Sequence, residues 1–306
     1  MIRFLAPLCL IPLSAAAEVP HVMTDIAPVY SLVSQVMGDL GQPDLLLPPG
    51  ADPHSFALRP SDAQRLTQAD MVFWIGEGLT PWLEEPLATL APHAMQREFL
   101  ATEGWEKLPP RDMHHAEEGE DEDADHDDHD DHDDHGDVDP HAWLDPTIAA
   151  YWVAIIAQDL IAQDPDHADT YRSNAEVAVA RIEKIDGQNA QALSDVVGIP
   201  YILPHDGYQY FEHRYGLTPA DAIAGIDGRT PGPAQLADIR AKLAAGNIHC
   251  VFNDFEVTER TSAVVTEGTG VKTATLDGLG ATLPANGALY QDLLTNLMAS
   301  FYDCLT

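Results

Sequence analysis

Short apolar runs alternate with amphipathic stretches along most of the chain, the pattern of an α/β fold with mostly parallel strands. In the first half, residues 19–23, 44–47, 71–75 and 97–100 predict strands, with helices around 28–37, 61–68 and 81–90. The second half repeats the alternation. Strands are expected at 201–203, 220–224, 248–252 and 273–276, and helices near 208–215, 233–244, 258–267 and 287–304. Two similar lobes result, each a mostly parallel sheet flanked by helices. Between them a helical tract covers 147–162 and, past Pro165, 167–193. Its second piece places Tyr171, Ala175, Ala178, Ile182, Ile185 and Leu193 near one face. A helix of that length spans about 38 Å at 1.5 Å per residue, enough to serve both lobes as a stiff spine. Pro165 must interrupt the hydrogen bonding between the two pieces, while Gly187 weakens the second without ending it. The expected organisation is a first lobe over 18–165, a linking helix over 166–193 and a second lobe over 194–306.

Two segments break the alternation. Residues 1–17 have a basic start at Arg3, an apolar core and the small residues Ala15, Ala16 and Ala17, which reads as a secretory signal cut near Ala17. Past it, no stretch approaches the roughly 20 apolar residues of a membrane-spanning helix. Residues 112–138 are almost wholly Asp, Glu and His, too polar to bury a core, and are expected to form a disordered surface loop. This segment carries much of the formal net charge of −35, and an acidic chain repels nucleic-acid phosphates and anionic lipid. Cations are the natural partners. Beyond the signal stand two cysteines, Cys250 and Cys304, an even pair in an exported chain. They read as a disulfide or, less economically, as two buried thiols.

The conspicuous candidates for metal are His126, His129, His132 and His135, three apart in a His-Asp-Asp repeat inside the acidic loop. Each binding event there must order mobile chain at about 1–2 kcal/mol per residue, so these histidines make an auxiliary, weaker site. Better-held candidates lie at the ends of predicted strands. His205 follows the run 201–203, Asp254 follows 248–252, and His54 follows 44–47 in a loop stiffened by Pro48, Pro49 and Pro53. The carboxyl ends of parallel strands line the ligand crevice of such folds. With His141, in the segment DPHAWLDP, these would draw two donors from each lobe. Three imidazoles and one carboxylate suit four-coordinate zinc better than manganese or calcium. Asp206 and Asp145 are positioned in sequence to orient imidazoles. Spacing alone does not single out this quartet from the other histidines.

The segments PGADPHSFALRPSD, DPHAWLDP, LPHDGYQYFEHRYGL and CVFNDFE, in this order across nearly the whole chain, resemble those of the cluster A-I solute-binding proteins of ABC transporters, specifically the high-affinity zinc-uptake members. The resemblance implies that His54, His141 and His205 bind Zn2+, with an acidic fourth ligand at Asp254. It also implies a disulfide between Cys250 and Cys304, and a His-rich loop before the second histidine. Some zinc members carry a Glu immediately before the first histidine. This chain has Pro53 there, which leaves Asp254 or a water as the fourth ligand. The expected function is that of a periplasmic receptor, a monomer, which hands Zn2+ to a membrane permease and catalyses no reaction. Two other readings keep the metal: a zinc buffer or chaperone acting through the His-rich loop, and an exported zinc hydrolase. The hydrolase would need an open coordination position and a general base.

Overall fold

Strands β1 (Val22–Thr24), β2 (Asp44–Leu45), β3 (Met71–Trp74) and β4 (Met95–Glu98) form one parallel sheet in the order β2-β1-β3-β4. Strands β5 (Tyr201–His205), β6 (Asp221–Ala224), β7 (Cys250–Asn253) and β8 (Lys272–Thr275) form a second in the equivalent order β6-β5-β7-β8. The computed structural model describes residues 19–111, 137–229 and 231–306. The predicted signal and the His-rich repeat lie outside them. No helix among the described residues is long and apolar enough to cross a membrane.

The central strands are buried on both faces, as parallel sheets covered by crossover helices require, and so read as unbroken apolar runs. In MVFW of β3, Val72 and Trp74 face α2 (Pro60–Leu66) and α3 (Pro81–Leu90), while Met71 and Phe73 join the opposite cluster. The second sheet divides in the same way. Ile202 and Val251 pack with α7 (Pro233–Ala244) and α8 (Glu259–Thr266), while Tyr201, Leu203 and Phe252 face inward. The inward faces of the two sheets belong to one continuous core. It runs through α1 (Ala27–Met37), α4 (Pro146–Gln163), α5 (Ala168–Leu193) and α9 (Leu289–Leu305).

Helix α5, with 26 residues, is the expected spine and packs against α1, α4 and α9. Pro165 does separate it from α4. At that break Asp164 accepts hydrogen bonds from His167 Nδ1 (2.7 Å) and Tyr171 Oη (2.9 Å). A second bridge comes from α9. Although it lies at the end of the second lobe in sequence, its Tyr290 N–H donates to Ser31 Oγ on α1 (3.0 Å) and Gln291 to Gln35 (2.6 Å). The Cys250–Cys304 disulfide ties β7 to the end of this helix, with the Cα atoms 5.8 Å apart.

Two of the four edge strands, β4 and β8, fall earlier than hydrophobicity placed them. Strand β4 ends at Glu98, and the apolar pair Phe99 and Leu100 leaves it with backbone bonds to Trp74 and Ile75, Phe99 stacking on Trp152 at 4.5 Å. Edge strands carry polar, exposed side chains that discourage further pairing, so their apolar neighbours drew the prediction downstream. Strand β8, KTAT, is displaced in the same direction by one residue, against two for β4.

Candidate metal centre

Three histidines from three separate connections meet between the sheets. His54 lies in the loop after β2, where Asp52 Oδ1 accepts its backbone N–H (2.8 Å) and Trp82 Nε1 donates to the Pro53 carbonyl (2.7 Å). His141 stands in the turn ahead of α4, and His205 is the last residue of β5. The His141 ring centroid is 5.6 Å from that of His54 and 5.4 Å from that of His205. Two imidazoles bound to one tetrahedral zinc at about 2.0–2.1 Å put their centroids about 5.2 Å apart, so both spacings suit a shared ion.

Two of the rings are aimed by carboxylates. Asp139 Oδ1 accepts from both the backbone N–H of His141 (2.9 Å) and its ring Nδ1 (2.8 Å). Asp254 Oδ2 accepts from Nδ1 of His205 (2.7 Å). A carboxylate can only accept, so Nδ1 carries the proton in each ring and Nε2 is turned to the interior. Both Nε2 atoms are buried and make no hydrogen bond. This carboxylate–imidazole arrangement is the usual outer support of a metal-binding histidine. Asp206 and Asp145, expected in that role, do other work. Asp206 accepts from Arg111 Nε (3.0 Å), and Asp145 caps α4 by accepting from the Thr147 N–H (2.7 Å).

Gly207 marks the space the rings enclose. A Cβ placed there would lie 2.1 Å from His205 Nε2 and 2.9 Å from His141 Nε2, so the glycine keeps clear a hollow that an ion can fill. The small pocket over it is lined by Pro53, His141, His205, Tyr208, Asp254 and Glu256. Burial opposes a charged His205, but the carboxylates of Glu256 and Asp254 outweigh it and raise the imidazole to about 10. The site thus has an excess of negative charge that a proton or a metal cation balances. Among the described residues, no three His, Cys, Asp or Glu side chains are drawn tightly enough to form a finished coordination group as they stand. The donor types and their spacing fit zinc, which would draw them inward.

Asp254, the expected fourth ligand, borders the pocket with its carboxylate already in use. Both oxygens of Asp254 are engaged: Oδ1 accepts from the N–H groups of Glu256 (2.9 Å) and Val257 (2.6 Å), Oδ2 from His205 and from Tyr208 Oη (3.3 Å). The carboxylate that faces His205 Nε2, at 3.5 Å, belongs to Glu256. Sequence reasoning missed Glu256, Gly207 and Asp139. A signal for Asp139 was available, since Asp-Pro-His occurs at both 52–54 and 139–141, and in both the Asp accepts the histidine's backbone N–H. His126, His129, His132 and His135 lie outside the described residues.

The family model for the periplasmic zinc-uptake complex component A matches residues 22–304. The high-affinity zinc uptake system protein ZnuA of Paracoccus denitrificans is 40% identical over 309 residues, covering 96% of this chain and 94% of that protein. The protein of the same name from Brucella suis biovar 1 is 34% identical over 328 residues, covering 99% and 96%. Among solved structures, a zinc-bound AdcAII variant of Streptococcus pneumoniae superposes with a TM-score of 0.77 at 23% identity, covering 95% of this chain and all of the other. At that identity the likeness is one of fold.

Proposed function

We propose that this chain, which belongs to the family of the periplasmic zinc-uptake complex component A, captures Zn2+ between its lobes in the periplasm and delivers it to the membrane permease of an ABC importer. The observation that carries this reading is the meeting of three imidazoles, with His141 within 5.6 Å of His54 and 5.4 Å of His205, beside the hollow that Gly207 keeps open between His141 and His205. Imidazoles held by carboxylates at Nδ1 offer Nε2 to a borderline-soft cation, and a site with three nitrogen donors favours zinc over calcium or magnesium. Binding without catalysis is part of the same reading: a fourth protein ligand on the ion would leave no position for the activated water a zinc hydrolase needs. Release falls to the permease, whose docking must favour a state in which the histidines part.

In this reading His126, His129, His132 and His135 gather zinc at lower affinity than the cleft. A competitive zinc titration of the full chain against a chelator of known affinity separates the two sites. His141→Ala is expected to remove one tight zinc and leave the weak sites of the loop. The loss should exceed the about 10–100-fold that removing an outer partner of a ligand costs. If tight binding survives His141→Ala, the cleft is not the capture site and the buffer reading takes its place.

A further inference from the structure

We propose that the fourth zinc ligand is Oε2 of Glu256, and that Asp254 is a positioning residue for His205. The inference rests on the reading of the cleft as the zinc site and names the group that completes it. Geometry excludes Asp254 first. Its Oδ2 holds Nδ1 of His205, and a metal on Nε2 of the same ring lies on the far side of the imidazole, about 6 Å from that oxygen for ordinary bond lengths. Its Oδ1 is fixed by two backbone N–H groups of the turn it caps. Moving either oxygen to the metal would unmake the support of the ligand it serves.

Glu256, two residues on in the same loop, has the opposite character. Its Oε2 is buried, makes no hydrogen bond, and stands 3.5 Å from His205 Nε2. Two donor atoms on one tetrahedral zinc are about 3.3 Å apart when each bond is about 2.0 Å, so this pair already has nearly the spacing of a shared edge. Room for the carboxylate is kept by a second glycine. At Gly228, whose φ is +67°, a Cβ would lie 2.2 Å from Glu256 Oε2. Gly207 clears the place of the ion and Gly228 the place of the anion beside it.

Cobalt(II) in place of zinc reports the donor set directly, since a four-coordinate site gives intense visible bands, and those that His141→Ala removes belong to the cleft. The full chain is compared with Glu256→Gln, Glu256→Asp, Asp254→Asn and His141→Ala, each checked for fold by circular dichroism. Glu256→Gln is expected to shift the cobalt bands and weaken zinc about 10–100-fold in chelator competition. Glu256→Asp, which withdraws the oxygen by one methylene, should shift the bands as well. Asp254→Asn should weaken zinc while leaving the band positions in place. Unchanged bands in both folded Glu256 variants would overturn the assignment. The intense bands must vanish in His141→Ala. If they persist, the cleft reading fails, a different result from the failure of Glu256 alone.

Discussion

At the scale of single residues the site depends as much on what is missing as on what binds. Gly207 is not in the left-handed region, so alanine there acts through its methyl, which at 2.1 Å from Nε2 forces the buried His205 ring aside. Gly207→Ala is therefore expected to fold with a lowered Tm and to lose tight zinc binding by more than about 100-fold, beyond what removal of an outer partner of a ligand costs. Chelator competition measures it, and an alanine variant with native affinity would mean the ion sits elsewhere. The aspartates that aim the rings show how much of this chemistry was legible. Two Asp-Pro-His segments announce two histidines held by a preceding carboxylate. Nothing in CVFNDFE says which of its two acidic residues leaves an oxygen facing the hollow. That choice depends on which one the turn after β7 uses as its cap, and Asp254, with the shorter side chain, reaches the backbone N–H groups.

At the scale of elements, the β1–α1 junction holds a titratable group apart from the metal. Asp25 accepts from the N–H of Ile26 (2.7 Å) and from that of Ile75 just past β3 (2.7 Å), so it joins the end of one strand to its neighbour. Burial raises its carboxyl from 3.8 to about 7 against these two donors. Between those values the folded chain keeps a proton that the unfolded chain has lost. This group's contribution to stability is thus full below about pH 4 and lost as pH rises to about 7, at up to about 1.4 kcal/mol per unit. Urea unfolding from pH 4.5 to 8 should therefore show a more negative slope of stability against pH in the native chain than in Asp25→Asn. Equal slopes would mean that Asp25 is ionised throughout.

For the whole molecule, the continuous core matters most. Two lobes with separate cores could swing freely, but here α5 and α9 both bridge them, and α9 bonds to α1 across the divide. Opening the cleft widely would expose shared apolar surface, which costs about 25 cal/mol per Å2. Zinc is therefore expected to change the separation of the lobes by only a few Å, a sliding adjustment of packed helices in place of a hinge swing. Pulsed spin-label distances between exposed positions 88 on α3 and 238 on α7 test this. A shift above about 10 Å on adding zinc would show that the core divides.

The alternation of apolar runs and amphipathic stretches was enough for both sheets, the long helix and its break at Pro165, because local periodicity and proline chemistry act within a few residues of chain. The candidate trio His54, His141 and His205 needed more than that alternation: spacing alone did not separate it from the other histidines, and it was the quoted segments' resemblance to a zinc-uptake family that named it. Only the tertiary structure decided that the two lobes share one core, that α9 reaches back to α1, and that Asp254 and Glu256 divide positioning from facing the hollow. Each of these depends on distances between segments some 50 to 260 residues apart, among them Asp254 with His205 and Tyr290 with Ser31. Side-chain direction across such gaps is set by packing, which no local pattern carries.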